Sequence, residues 1–181
     1  MACELTTGRK LGCKNAIGGL KTAYFISSED VSAIVLDSTT DEIESFTATA
    51  DSIFQYDLKG SNTLETTITS DDSAGTTFME NNLTITLQKQ DSATLKEIKM
   101  LAFNRPKIFV EDRNGNLFMI GRVNGASLTS GTISSGDGLG DFNGYNLTFQ
   151  AIEPLGSLHV ENGTANTSFT GALSSTQITP A

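Results

Sequence analysis

Apolar and polar residues alternate along most of this chain with a period of two, and only once with the period of a helix. The cleanest alternation is Leu83, Ile85 and Leu87 against Thr84, Thr86 and Gln88. Phe46, Ala48 and Ala50 alternate with Ser45, Thr47 and Thr49, and the pattern continues through Ile53–Leu58. After the turn residues Lys59-Gly60-Ser61-Asn62, Leu64, Thr66 and Ile68 face away from Glu65, Thr67 and Thr69, which predicts a return strand. Tyr145, Leu147, Phe149 and Ala151 form one face of a last strong strand that Pro154 ends. Such alternation predicts antiparallel sheets with one packed and one wet face. Two shorter strands over Thr22–Leu36 are broken by a turn at Ser27–Asp30.

The helical period appears at Leu95, Ile98, Leu101 and Ala102, with Lys96, Glu97 and Lys99 on the wet side. Asp91 or Ser92 supplies an N-cap oxygen, and Pro106 forces the helix to stop near Asn104. A helix of about a dozen residues is too short to persist alone and must pack on the sheet, where it is expected to cover an outer face. Lys107–Val123 predicts a hairpin, because Asn114-Gly115 suits the tight turn whose twist matches its strands. The Gly-rich run Ser130–Gly144 predicts a long mobile loop from Thr129 to Gly144. Residues 1–20 form a polar N-terminal arm, residues 21–160 one β domain, and residues 161–181 a small-residue polar tail. The expected fold is mainly β: an antiparallel sandwich or rolled barrel with one flanking helix over about residues 91–104.

Composition supports a β-protein and narrows its partners. Only 18% of the 181 residues are charged, below the usual quarter, and Thr and Ser fill much of the polar side. The formal charge of −9 gives no basic footprint for nucleic acid, although an acidic wall suits a passage in which DNA must not stick. MACELTTGRKLGCKNAIGG has no apolar signal-peptide run and no window reaches transmembrane length, so synthesis in the cytoplasm and no membrane contact are expected. On that expectation the N-x-S/T triplets at Asn82, Asn146, Asn162 and Asn166 arise by chance. Cys3 and Cys13 read as reduced thiols, with a local disulfide or a site on a docking arm as the alternatives.

Candidate chemistry is sparse. His159, the sole histidine, lies beyond the last strong strand, and neither cysteine has a histidine near it in sequence. Asp112-Arg113-Asn114-Gly115-Asn116 resembles the start of a calcium loop but lacks the glycine and glutamate such a loop needs at its sixth and twelfth positions. Asp71-Asp72 offers two carboxylates without further ligands, and Gly136, Gly138 and Gly140 precede no helix and no Lys-Ser/Thr. No metal, no cofactor and no enzymatic activity are expected. An assembling β-module remains.

Thr-rich strand pairs precede a single helix, LAFNRPKIFVEDRNGNLFMIG follows it, and a Gly-rich loop leads to the closing strand FNGYNLTFQAIEP. In this layout, over roughly residues 22–160, the chain resembles the tail tube proteins of long-tailed bacteriophages and related contractile injection systems. The resemblance implies a β-sandwich or rolled barrel that forms hexameric rings, stacked into the tube of a virion tail through which DNA passes without sequence-specific binding. Its implied partners are further copies of itself and other tail proteins: sheath or terminator, baseplate and tape measure. Six copies would carry 6 × −9, or −54, formally. Glu44, Asp51, Asp57 and Glu65 are the candidates for the lumen face, because they sit on or beside the expected tube strands. Tail terminators, neck rings and capsid decoration proteins are alternatives of the same kind; a lectin-like binding domain is the alternative from another class.

Overall fold

The computed structural model describes residues 8–48, 52–160 and 177–180. Its elements are β1 (Leu20–Ile26), a 3-10 turn (Ser28–Asp30), β2 (Val31–Leu36), β3 (Ile43–Ala48), β4 (Ser52–Asp57), β5 (Thr63–Asp71) and β6 (Thr76–Gln88). Helix α1 (Ser92–Phe103) follows, then β7 (Lys107–Asp112), β8 (Leu117–Ile120), β9 (Ser127–Ser134), β10 (Gly144–Glu153), β11 (Leu158–His159) and β12 (Gln177–Pro180). A central six-stranded sheet has the order β11-β8-β7-β1-β4-β12, a four-stranded sheet the order β5-β6-β10-β9, and β2 pairs with β3. Among the described residues the strand pairings are antiparallel except β12 on β4, and a single parallel bridge joins Ile43 to Val160. The result is an open sandwich; the sheets do not close into the barrel that was the other expectation.

The central sheet is packed on both faces. Ala23 and Phe25 join Ile108, Val110 and residues of the four-stranded sheet in one apolar cluster. Tyr24 and Ile26, their immediate neighbours, join Phe109, Met119 and the β2–β3 pair in a second. Successive residues of a strand point to opposite faces, so a strand buried on both sides reads as a continuous apolar run. That is why Tyr24–Ile26 and Ile108–Val110 do not alternate. The four-stranded sheet has one packed face, with Leu83, Ile85, Tyr145, Leu147, Phe149 and Ala151 buried, as its alternation predicts.

Helix α1 begins and ends where its sequence requires. The Asp91 carboxylate accepts from the Thr94 N–H, and Asn104 terminates it ahead of Pro106. Its stripe, Leu95, Ile98 and Leu101, joins the cluster between the two sheets instead of covering an outer face, and Ala102 stays exposed. The β7–β8 hairpin also forms as expected, with both Asp112 carboxylate oxygens accepting from Asn114 and Asn116. Gly125 adopts φ 73°, and a β-carbon there would run into the Arg105 carbonyl, so the loop after β8 closes tightly on the helix exit.

Three expectations are corrected. Residues 127–134, most of them assigned to the long loop, form β9, which pairs with β10; the loop shrinks to residues 135–143. Gly131 and the glycines beyond it masked Thr129, Thr132 and Ile133, which suit a strand. The turn at Lys59–Asn62 does not return β5 onto β4: β4 pairs with β1 and β12, whereas β5 crosses to the other sheet and pairs with β6. Part of the C-terminal tail is a strand, β12; the rest of it, with Ala50, Asp51 and Cys3, lies outside the described residues.

Candidate functional site

The buried ionisable groups have structural partners. Glu111 lies 2.8 Å from the Lys21 ammonium and accepts from the Tyr24 hydroxyl at 3.3 Å. Burial, then the Glu111 charge, pushes the Tyr24 phenol up to about 12. Glu153 accepts from the Val123 N–H at 2.6 Å. Lys107 donates to the Ser28 carbonyl and hydroxyl; burial pulls its pKa down while Glu153 opposes the shift. His159 is exposed and stacks on Phe118, with ring centroids 4.4 Å apart. Among the described residues no three or more His, Cys, Asp or Glu side chains cluster as a metal would need. Asp112, the would-be calcium ligand, is consumed by its own turn.

The four-stranded sheet presents the most extensive organised polar surface. Its wet face carries Glu80 and Thr84 on β6 and Asn146 and Gln150 on β10, opposite in parity to the buried residues of those strands, and Glu65 and Thr67 on β5, paired with Asn82 and Glu80. Side chains are tied across strands. Glu80 Oε1 accepts from Asn82 Nδ2 and from Gln150 Nε2, each at 2.8 Å, and these two bonds hold its carboxyl below the usual range. Thr86 Oγ1 donates to Asn146 Oδ1 at 2.9 Å. Neutral acceptor-rich groups and ionised carboxylates together make a wettable, weakly negative wall.

Both edges of this sheet are open among the described residues: β5 pairs only with β6, and β9 only with β10. Soluble proteins usually guard such edges with Lys, Pro or a covering segment. The β9 sequence, SLTSGTIS, has no charged residue and no proline, and β5 has neither lysine nor proline. By contrast the β4 edge of the central sheet is occupied by β12.

The lumen-face candidates separate. Glu65 lies on the wet face of β5, Asp57 at the end of β4 in the central sheet, and Glu44 on β3 in the third layer; Asp51 lies outside the described residues. No single face of this chain holds them together. Glu80 was missed, although the parity set by Leu83, Ile85 and Leu87 places it on the wet face. Cys13 is exposed and free. Among the described residues no helix is long and apolar enough to cross a membrane. Against known proteins, the chain matches no family model, no curated protein and no solved structure.

Proposed function

We propose that this chain is a structural subunit that assembles edge to edge into rings and stacks them into a tube, as the tail tube of a long-tailed phage or a related injection system. The observation that carries this reading is the four-stranded sheet with one wet face and, among the described residues, two unpaired edges on opposite sides. Pairing β5 of one copy with β9 of the next is a head-to-tail contact, and such contacts close into rings when the rotation permits. Closure also removes the edge hazard. Six copies of a four-stranded sheet make a barrel of 24 strands. At about 4.8 Å between strands and roughly 40° of tilt, its backbone diameter is roughly 48 Å. That exceeds the barrels of about 16–18 strands that already hold aqueous channels, and leaves room for a DNA duplex. The wet face then lines the lumen, where the chain's negative balance discourages DNA from adhering.

Electron microscopy of the purified protein, across protein and salt concentrations, tests the reading. Rings or tubes with a wide hole are expected. A monomer that persists under all conditions rejects it, and rings that never stack favour a terminator, neck or decoration ring instead.

A further inference from the structure

Three Asn-Gly pairs fall among the described residues: Asn114-Gly115, Asn124-Gly125 and Asn143-Gly144. Asparagine is a thermolabile residue, and a following glycine makes it more so, because no side chain keeps the next backbone nitrogen from the carboxamide carbon. The reaction needs that nitrogen open to base and its loop free to bend. Gly125 and Gly144 are buried. Gly125 donates to the Gly121 carbonyl at 3.1 Å inside a tight loop, and Gly144 is already paired with Gln88 at the start of β10. Gly115 is exposed, nothing lies within 4 Å of the place a β-carbon would take, and its N–H reaches the Asp112 carbonyl only at 3.3 Å. Of the three pairs, Asn114-Gly115 is therefore the reactive one.

The bonds made by the Asn114 carboxamide give that reaction a consequence. Its Oδ1 accepts from the Ile17 N–H at 2.8 Å. Its Nδ2 donates to the Ile17 carbonyl at 2.8 Å and to Asp112 Oδ2 at 3.0 Å. One side chain thus satisfies both backbone groups of Ile17, as a paired strand residue would. The Arg113 N–H adds a bond to the Gly19 carbonyl at 3.1 Å. Residues 8–16, ahead of this clasp, are all exposed.

We propose that Asn114 is a deamidation site whose conversion permanently releases the N-terminal segment from the β7–β8 turn. The Gly115 backbone nitrogen gives its proton to hydroxide and attacks Asn114 Cγ. The new N–Cγ bond forms, the Cγ–Nδ2 bond breaks, and ammonia leaves with a proton from water. Water then opens the succinimide at either carbonyl carbon, leaving aspartate or isoaspartate; nothing is oxidised or reduced. An ionised carboxylate only accepts. In aspartate, an oxygen replaces Nδ2 and faces the Ile17 carbonyl and the Asp112 carboxylate, so two attractive contacts become repulsive. Isoaspartate also adds a carbon to the backbone of the turn. The closed clasp restrains the carboxamide through three bonds, so opening hastens the reaction and the reaction keeps the clasp open. The inference is independent of what the chain assembles into.

The test uses the full chain carrying Asn162→Gln, which removes the Asn-Gly pair at 162–163. The protein is held at mildly alkaline pH in heavy-oxygen water. Peptide mapping follows label entering Asn114, Asn124 and Asn143, and NMR follows hydrogen exchange of the Ile17 amide. Label is expected at Asn114 first, and sooner still in Ile17→Pro, which lacks the donor to Oδ1. Asn114→Asp is expected to speed Ile17 exchange about tenfold while β6 amides keep their rates. Label at Asn124 or Asn143 ahead of Asn114 overturns the site. Equal labelling of Asn114 in Ile17→Pro and its parent overturns the protection by the clasp. Unchanged Ile17 exchange in Asn114→Asp, or equal acceleration in β6, overturns the local release.

Discussion

The central sheet and the four-stranded sheet are built from similar residues but spend them differently. Of the four successive residues Ala23–Ile26 in the central sheet, each is buried, two on each face. In β10 of the four-stranded sheet, beyond Gly144, only alternate residues are buried, and the rest are Asn, Thr, Gln and one Ile. In the first sheet β1 and β7 are packed on both faces, and the β4 edge is taken by β12. The second keeps a face and two edges available. Two-faced packing is therefore concentrated in one sheet, and a wet face with two unpaired edges, among the described residues, in the other.

That division is open to direct attack. The largest effect is expected from Phe109→Ala, which empties a fully buried site stacked against Phe46 at 4.9 Å. It should cost about 3–5 kcal/mol and lower Tm by roughly 10 °C in a calorimeter. A loss no greater than that of a wet-face substitution such as Thr148→Ala would erase the contrast. Next is Asn62→Ala, which removes a buried acceptor and leaves the part-buried Thr86 N–H without it. About 1–3 kcal/mol should disappear from the denaturant midpoint, with an unchanged m-value. Placing lysines on the β9 edge, with Ser130→Lys and Thr132→Lys, should alter stability by no more than about 0.5 kcal/mol yet block oligomers in sedimentation. Equal loss of fold and assembly would show that β9 belongs to the scaffold.

The smallest effect is on acid titration. Hydrogen bonds hold the carboxyls of Asp37, Asp71, Glu80 and Asp141 below their ordinary values, and at Asp112 such bonds outweigh burial. A depressed carboxyl contributes stability above its unfolded pKa, near about 4, and loses it as pH falls through the folded value. NMR titration should find these five below their ordinary values; a Glu80 midpoint at the ordinary value would contradict its bonds to Asn82 and Gln150.

Local signals in the sequence were legible wherever local chemistry decides the outcome. Asp91 caps α1, Pro106 ends it, and Asn114-Gly115 turns β7 into β8, each within a few residues. The β6 and β10 alternation showed which side faces the core. What stayed hidden is tertiary. Lys59–Asn62 has the same turn chemistry whether the chain doubles back or crosses to another sheet, so the partner of β5 was unreadable. β9 hid because an edge strand with a wet face needs little apolar content, and Gly131 resembles loop composition. Glu44, Asp57 and Glu65 all occupy strands, but the layer to which each strand belongs is settled by packing between distant segments.

The position of β1 has a consequence for how the chain is made. β1 lies between β7 and β4, and its register with β7 pairs Ala23 with Val110 and Phe25 with Ile108. At a synthesis rate of about 5–20 residues per second, β1 waits roughly 4–17 s for β7 to emerge. Until then Tyr24, Phe25 and Ile26 have lost no water to their main neighbour. The nascent N-terminal half thus carries an apolar strand without its β7 neighbour, and the open edge β9 appears only after β7 and β8 have been made. The order of emergence thus withholds one of the two open edges, β9, until both strands that flank β1 have been made.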